Sequence, residues 1–133
     1  MANSQRNFWR ERWLNSIDEL TSLDLQIKTW LNSHNENPHW SFIEFLCCYF
    51  DDLAIDNNYI SQLADEWITY DEFRVIKDWH EELGKYNTPT EDIYDHEAIL
   101  ADANWIAIVK SGSEAKHELT KILNEKERHY LKM

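Results

Sequence analysis

Along this chain the apolar residues recur at helical spacing. Trp9, Trp13, Ile17, Leu20, Leu23 and Ile27 follow one another in steps of three or four, and Trp30 and Leu31 close the stripe, which predicts helix over residues 6–31. Thr21 and Ser22 can both cap, so a break is expected there. Leu14 and Leu25 fall on the opposite side and predict a smaller second contact, either within the chain or with another copy in a homodimer. The polar run 32–37 reads as a loop. From Trp40 to Phe50 nearly every residue is apolar, Ser41 and Glu44 excepted. A helix that is apolar all round belongs inside a core, so this stretch is expected to be the buried centre of the fold. Asn37 is a suitable N-cap for it and Pro38 a suitable first residue. Asp51 and Asp52 fall at its C-terminal end, where acids oppose the helix dipole at about 0.3–1 kcal/mol each.

Further on, Asp56-Asn57-Asn58 reads as a turn leading into a short amphipathic helix with Ile60, Leu63, Ala64, Trp67 and Ile68. Thr69 and Glu72 have capping-box spacing, in which each side chain satisfies a backbone donor that the first turn leaves open. The helix they start is expected to bury Phe73, Ile76, Trp79 and Leu83 and to stop at Gly84. Residues 85–92 form a loop around Pro89. Residues 95–110 read as a helix with Ile99, Leu100, Ala103, Ile106 and Val109 inside, although WIAIV alone also suits a strand. Gly112 is expected to break the chain, with Ser113 capping a last helix that buries Leu119, Ile122, Leu123 and Tyr130. The fold class is therefore all-α: one domain over 1–133, a bundle of about five or six helices around the Trp40–Phe50 helix.

Composition agrees with this. The 133 residues are 43% hydrophobic and 14% aromatic, which is enough to fill a core, and two Gly and two Pro leave few turns. Cys47 and Cys48 are adjacent on a helix, where disulfide geometry is strained, so reduced thiols in a cytoplasmic setting are expected. No secretory leader and no membrane-length apolar run is legible.

Charge changes the picture more. The net charge is −12, and the window from Glu44 to Glu97 carries all of it, with fifteen acids against three bases. Such segregation repels nucleic acid and anionic lipid, and it attracts a basic partner. The candidate partner-binding residues are Asp51, Asp52, Asp56, Asp65, Glu66, Tyr70, Asp71, Asp78, Glu81 and Glu82. The bland alternative is a solvated face, supported by Arg74 and Lys77, which can pair at i, i+4 with Asp78 and Glu81.

Catalytic patterns are lacking: there is no nucleophile motif, no glycine-rich phosphate loop and no C-x-x-C. Glu114-x-x-His117 has the spacing of a di-metal carboxylate helix, but its only counterpart, Glu36 to His39, contains Pro38. A metal-binding or enzymatic bundle using His39, Glu114 and His117 is thus the alternative; the expectation is no metal, no cofactor and no catalytic residue. His80, on the apolar side of its helix, reads as a core histidine with one hydrogen bond.

A small, acidic, helical, Trp- and Tyr-rich chain of this kind resembles the immunity proteins of bacterial toxin systems. The resemblance is one of type, carried by the acidic window from Asp51 to Asp95 and by Tyr59, Tyr70, Tyr86 and Tyr94. It implies a stoichiometric inhibitor that covers a basic nuclease-like toxin domain with carboxylates. A nucleic-acid mimic, acting on a DNA- or RNA-binding protein, would use the same face.

Overall fold

The computed structural model describes residues 2–31, 41–55 and 57–131. Every regular element among these residues is a helix, with no strand. The elements are α1 (Ala2–Leu20), α2 (Leu23–Trp30), α3 (Phe42–Phe50), a short 3₁₀ turn (Asn57–Tyr59), α4 (Ile60–Ala64), α5 (Tyr70–Lys85), α6 (His96–Ala101), α7 (Ala103–Ile122) and α8 (Glu125–Arg128). Five of them, α1, α2, α3, α5 and α7, have eight or more residues, and one continuous apolar cluster joins them.

The first stripe divides where two capping residues stand together. The Thr21 hydroxyl donates back to the Ile17 carbonyl (2.7 Å), and Ser22 Oγ accepts from Leu25 N–H (3.2 Å) to open α2. Leu14 is fully buried, so its contact is made within the chain, while Leu25 is half-buried.

The apolar helix is not the centre. α3 opens at Ser41, whose Oγ accepts from Glu44 N–H. The Asn37 and Pro38 start lies outside the described residues. Phe42, Phe45 and Tyr49 are buried, whereas Ile43, Leu46, Cys47, Cys48 and Phe50 are half-buried. At nine residues α3 is too short to run through the core and instead covers one side of α1. The longest helices make the hub: α5 packs along α7, and α7 also packs on α1 and α6.

Three expectations in the second half need correction. The 95–110 segment breaks at Asp102, which accepts from Asn104 N–H (3.1 Å) and starts α7 afresh. The new register buries Trp105, Ile108 and Val109 and leaves Ala103 and Ile106 exposed; WIAIV is helix. Gly112 does not break the chain but lies buried inside α7. A Cβ there would stand 2.5 Å from Thr21 Cγ2 and 2.5 Å from Trp79 Nε1, so glycine is what lets α7 approach Thr21 and α5 so closely. Ser113 accordingly caps nothing, and Ile122 is exposed. Gly84 does not stop its helix either; α5 runs on to Lys85 and ends where Tyr86 turns extended.

Charged side chains also enter the core. Arg10, 2% exposed, donates from Nη2 to Glu72 (2.6 Å) and from Nε to Glu127 (2.7 Å), with Nη1 on the Trp67 carbonyl (2.8 Å). Burial alone would lower the guanidinium's pKa, but the hydrogen bonds and charges of the two glutamates raise it instead, so it stays protonated. Lys116 and Asp18 form a second buried pair (3.3 Å).

Candidate functional site

α5 positions most of the chemistry. Its capping box forms as the sequence implies: Thr69 Oγ1 accepts from Glu72 N–H, and Glu72 Oε1 accepts from Thr69 N–H (2.9 Å). Helical spacing then turns Glu72, Ile76, Trp79, His80 and Leu83 inward and Asp71, Asp78 and Glu82 outward. Tyr70, at 70% exposure, lies fully at the surface.

The structure separates the candidate acids. Asp51 and Asp52 are exposed on the turn after α3, where the backbone N–H of both closes on the Cys47 carbonyl. Asp65 and Glu66 are exposed at the end of α4. These two segments are joined beneath the surface, because Gln62 Nε2 donates to the Ala54 carbonyl and Trp9 packs against Trp67 while donating to the Leu53 carbonyl. Asp78 and Glu81, three residues apart on α5, border different clefts. Asp78 borders an open groove of about 750 Å³ between α5 and α7, which Glu114, His117 and Glu118 also line. Glu81 borders a smaller cleft of about 330 Å³ with Phe50, Ile55, Asn58 and His80. Asp56 lies outside the described residues.

Two of the candidates are already paired. Asp52 faces Arg12 (3.6 Å) and Asp71 faces Arg74, so neither is a free carboxylate. The i, i+4 pairing of Arg74 with Asp78 and of Lys77 with Glu81 does not form; Arg74 reaches back to Asp71 instead. Among the described residues no lysine or arginine stands within ion-pair distance of Asp51, Asp65, Glu66, Asp78, Glu81 or Glu82. Glu114 and Glu118 are acids that the charge window missed. Their i, i+4 spacing on the exposed side of one helix was the available signal. Glu118 is held by Lys121 (3.0 Å).

Asp51 and Asp52 act locally on the cysteines. Burial, followed by the hydrogen bond and charge of Asp51, raises the pKa of the Cys47 thiol. Burial and the charge of Asp52 push Cys48 up to about 12. Both thiols therefore stay protonated and are poor nucleophiles at neutral pH.

The described histidines are engaged as structural groups or stand apart. His96 Nε2 accepts from Phe42 N–H (3.2 Å), and its Nδ1 meets the Trp30 carbonyl (3.2 Å), fastening α6 to α2 and α3. Glu114 and His117 are exposed on α7. Among the described residues no group of three or more His, Cys, Asp or Glu could hold a metal ion, and His39 lies outside those residues.

His80 has the one hydrogen bond expected of it, at the end of a buried relay. Trp13 Nε1 donates to Tyr59 Oη (3.0 Å), Tyr59 meets Tyr49 hydroxyl to hydroxyl, and Tyr49 Oη lies 2.8 Å from His80 Nδ1. Tyr49 and Tyr59 are fully buried, and burial raises both phenol pKa values. Burial pushes His80 down to about 4, against the opposing charge of Glu81, so its imidazole is neutral at pH 7. Near this cleft Ala54, Asn58 and Tyr59 have left-handed backbone (φ 51°, 58° and 57°). For non-glycine residues that costs roughly 1–2 kcal/mol each, and at Tyr59 it aims the phenol into the relay.

Among the described residues no helix is long and apolar enough to cross a membrane. The chain matches no protein family, no curated protein and no solved structure.

Proposed function

We propose that this protein is an acidic binding module for a basic protein, in the manner of an immunity protein that neutralises a toxin domain. The observation that carries this reading is how the bases are used. Arg10 and Lys116 are consumed in the core, and Arg12, Lys28, Arg74 and Lys121 pair locally. Among the described residues the exposed carboxylates of Asp65, Glu66, Asp78 and Glu82 form no ion pair, and a basic partner would relieve their like-charge repulsion. Because the acids lie on several sides of the molecule, the reading narrows to the α5–α7 side. There Asp78 and Glu82 of α5 stand out from the surface, and Glu114 and Glu118 join Asp78 along the groove. Tyr70, at the start of α5, is an exposed aromatic, a residue type favoured at interfaces.

The test is binding to basic nuclease-type toxin domains, beginning with the product of any toxin gene beside this one. Association is expected to be fast and to slow steeply as salt rises. The combined substitution Asp78→Asn, Glu82→Gln and Glu114→Gln should abolish binding at physiological salt while leaving the helical circular-dichroism signal unchanged. Normal binding by that variant would leave the acids as a solvated surface and remove the main support for the proposal.

A further inference from the structure

The cleft beside α5 has a chemistry that a basic partner does not satisfy. Its walls are Phe50 and Ile55, with Asn58, His80, Glu81 and Lys85 supplying polar groups. The hydrogen positions at its base follow from the relay. An indole N–H only donates, so the Tyr59 oxygen accepts from Trp13. Tyr59 is fully buried, and among the described residues the oxygen that its hydroxyl meets is that of Tyr49. The Tyr49 proton then goes to His80 Nδ1. His80 therefore carries its own proton on Nε2. That N–H has no partner among the described residues and is not sealed off, since the buried polar atoms without partners are Trp30 Nε1, Gln62 Oε1 and Trp79 Nε1. His80 itself is only 7% exposed. The result is a recessed, oriented donor at the foot of an apolar-walled cleft, which the lysine and arginine side chains of a basic protein, being donors themselves, cannot engage.

We infer that the His80 cleft binds a small organic ligand that presents an acceptor oxygen, carbonyl or carboxylate, on an apolar body. The oxygen accepts from His80 Nε2–H, and the apolar body lies between Phe50 and Ile55. Lys85 offers a second donor, and its charge offsets that of Glu81 where the ligand is a carboxylate. A volume of about 330 Å³ falls at the small end of ligand cavities, so the occupant is about the size of a single substituted ring. This site is independent of the acidic surface and survives if the basic-partner reading fails.

The test uses nitrogen NMR of the His80 imidazole in the intact chain, with benzamide and benzoate as acceptor probes and benzylamine as a donor-only control. Without ligand, Nε2 is expected to be protonated and Nδ1 unprotonated. Benzamide, benzoate or both should then shift the Nε2–H resonance saturably at millimolar concentration, and benzylamine should not. A blocking variant leaves the relay alone. Gly84 borders the cleft, and a Cβ placed on it meets nothing within 4 Å, so Gly84→Leu adds bulk there, and an unchanged circular-dichroism signal checks that the fold is kept. It should weaken probe binding by about tenfold or more while the His80 tautomer is retained. The inference is overturned by an Nδ1-protonated His80, by no saturable shift with either acceptor probe, by equal binding of benzylamine, or by undiminished binding in Gly84→Leu.

Discussion

The two glycines make a controlled experiment on packing, because both lie inside helices and only one lies in the core. Replacing either by alanine gains up to about 1 kcal/mol of helix propensity. At Gly84 nothing opposes that gain, since the new methyl meets open space, and Gly84→Ala should stabilise by about 0.5–1 kcal/mol. At Gly112 the methyl would stand 2.5 Å from Thr21 Cγ2, 2.5 Å from Trp79 Nε1 and 2.8 Å from Trp79 Cδ1. Ordinary carbon contacts lie at about 3.5–4 Å, so α7 must retreat by about 1 Å from Thr21 and the Trp79 ring. Trp79 is 1% exposed, with its ring packed against Tyr49. Overpacking of this kind costs typically 1–3 kcal/mol, and here the upper half of that range applies because two neighbours are struck at once. Net of propensity, Gly112→Ala should destabilise by about 1–2 kcal/mol. The two variants should then differ by roughly 1.5–3 kcal/mol in urea denaturation, seen in the midpoint with an unchanged slope. In thermal melts each kcal/mol should appear as roughly 3–5 °C at this chain length. If Gly112→Ala proves as stable as Gly84→Ala, the close approach of α7 to Trp79 is wrong, and with it the packing of the hub.

Other outcomes follow from the buried polar groups. Arg10→Ala strands the Glu72 carboxylate in the core and should cost about 3–5 kcal/mol, whereas the double replacement Arg10→Met with Glu72→Met should cost less than that single change, as urea titration of the three proteins would reveal. His80 titrates near 4 in the folded chain against 6.5 when unfolded, so between those values the unfolded state binds more protons. Stability should therefore fall as pH drops below about 6.5 and level off near 4, a loss of up to roughly 3 kcal/mol from this group, and a His80→Gln variant should lack that component of the pH profile. Tyr49→Phe removes the link between Tyr59 and His80 and should cost about 1–3 kcal/mol in the same denaturation assay. Cys47 and Cys48 should react slowly with iodoacetamide at pH 7.5, and faster once Asp51 and Asp52 are both changed to Asn.

Local rules were legible in the sequence, and long-range ones were not. The Thr21-Ser22 break, the Thr69–Glu72 capping box and the inward face of α5 depend on residues within one turn of each other, and all three appear as read. Gly112 is not legible as a packing residue, because a glycine that ends a helix and a glycine that admits a neighbour look alike until the neighbour, Trp79, is in place. The apolar helix was promoted to the centre because pattern reports how apolar a face is and not how much of it another element covers. Arg10 follows Trp9 in an otherwise apolar stripe, and a charge in that position was the available sign of a buried pair. Its partners lie 62 and 117 residues away, beyond any periodicity. The candidate acids share a window of sequence, but the turn after α3, the end of α4 and the two clefts beside α5 hold them apart, so nearness along the chain overstates their nearness in space.

The Arg10 clasp has a consequence for chain connectivity. It ties α1 to α8 across 117 residues, a loop whose closure costs roughly 4 kcal/mol of chain entropy. Around it Arg6 and Asn7 of α1 share one small recess with Asn124, Lys126, Glu127 and Tyr130. A short flexible linker joining the two ends would make that contact local, and new ends could be opened in the exposed stretch 87–92, away from both the clasp and the His80 relay. Such a circular permutant would keep every interaction of the hub while removing the longest closure from the folding reaction, so it should fold faster than the parent chain at similar stability.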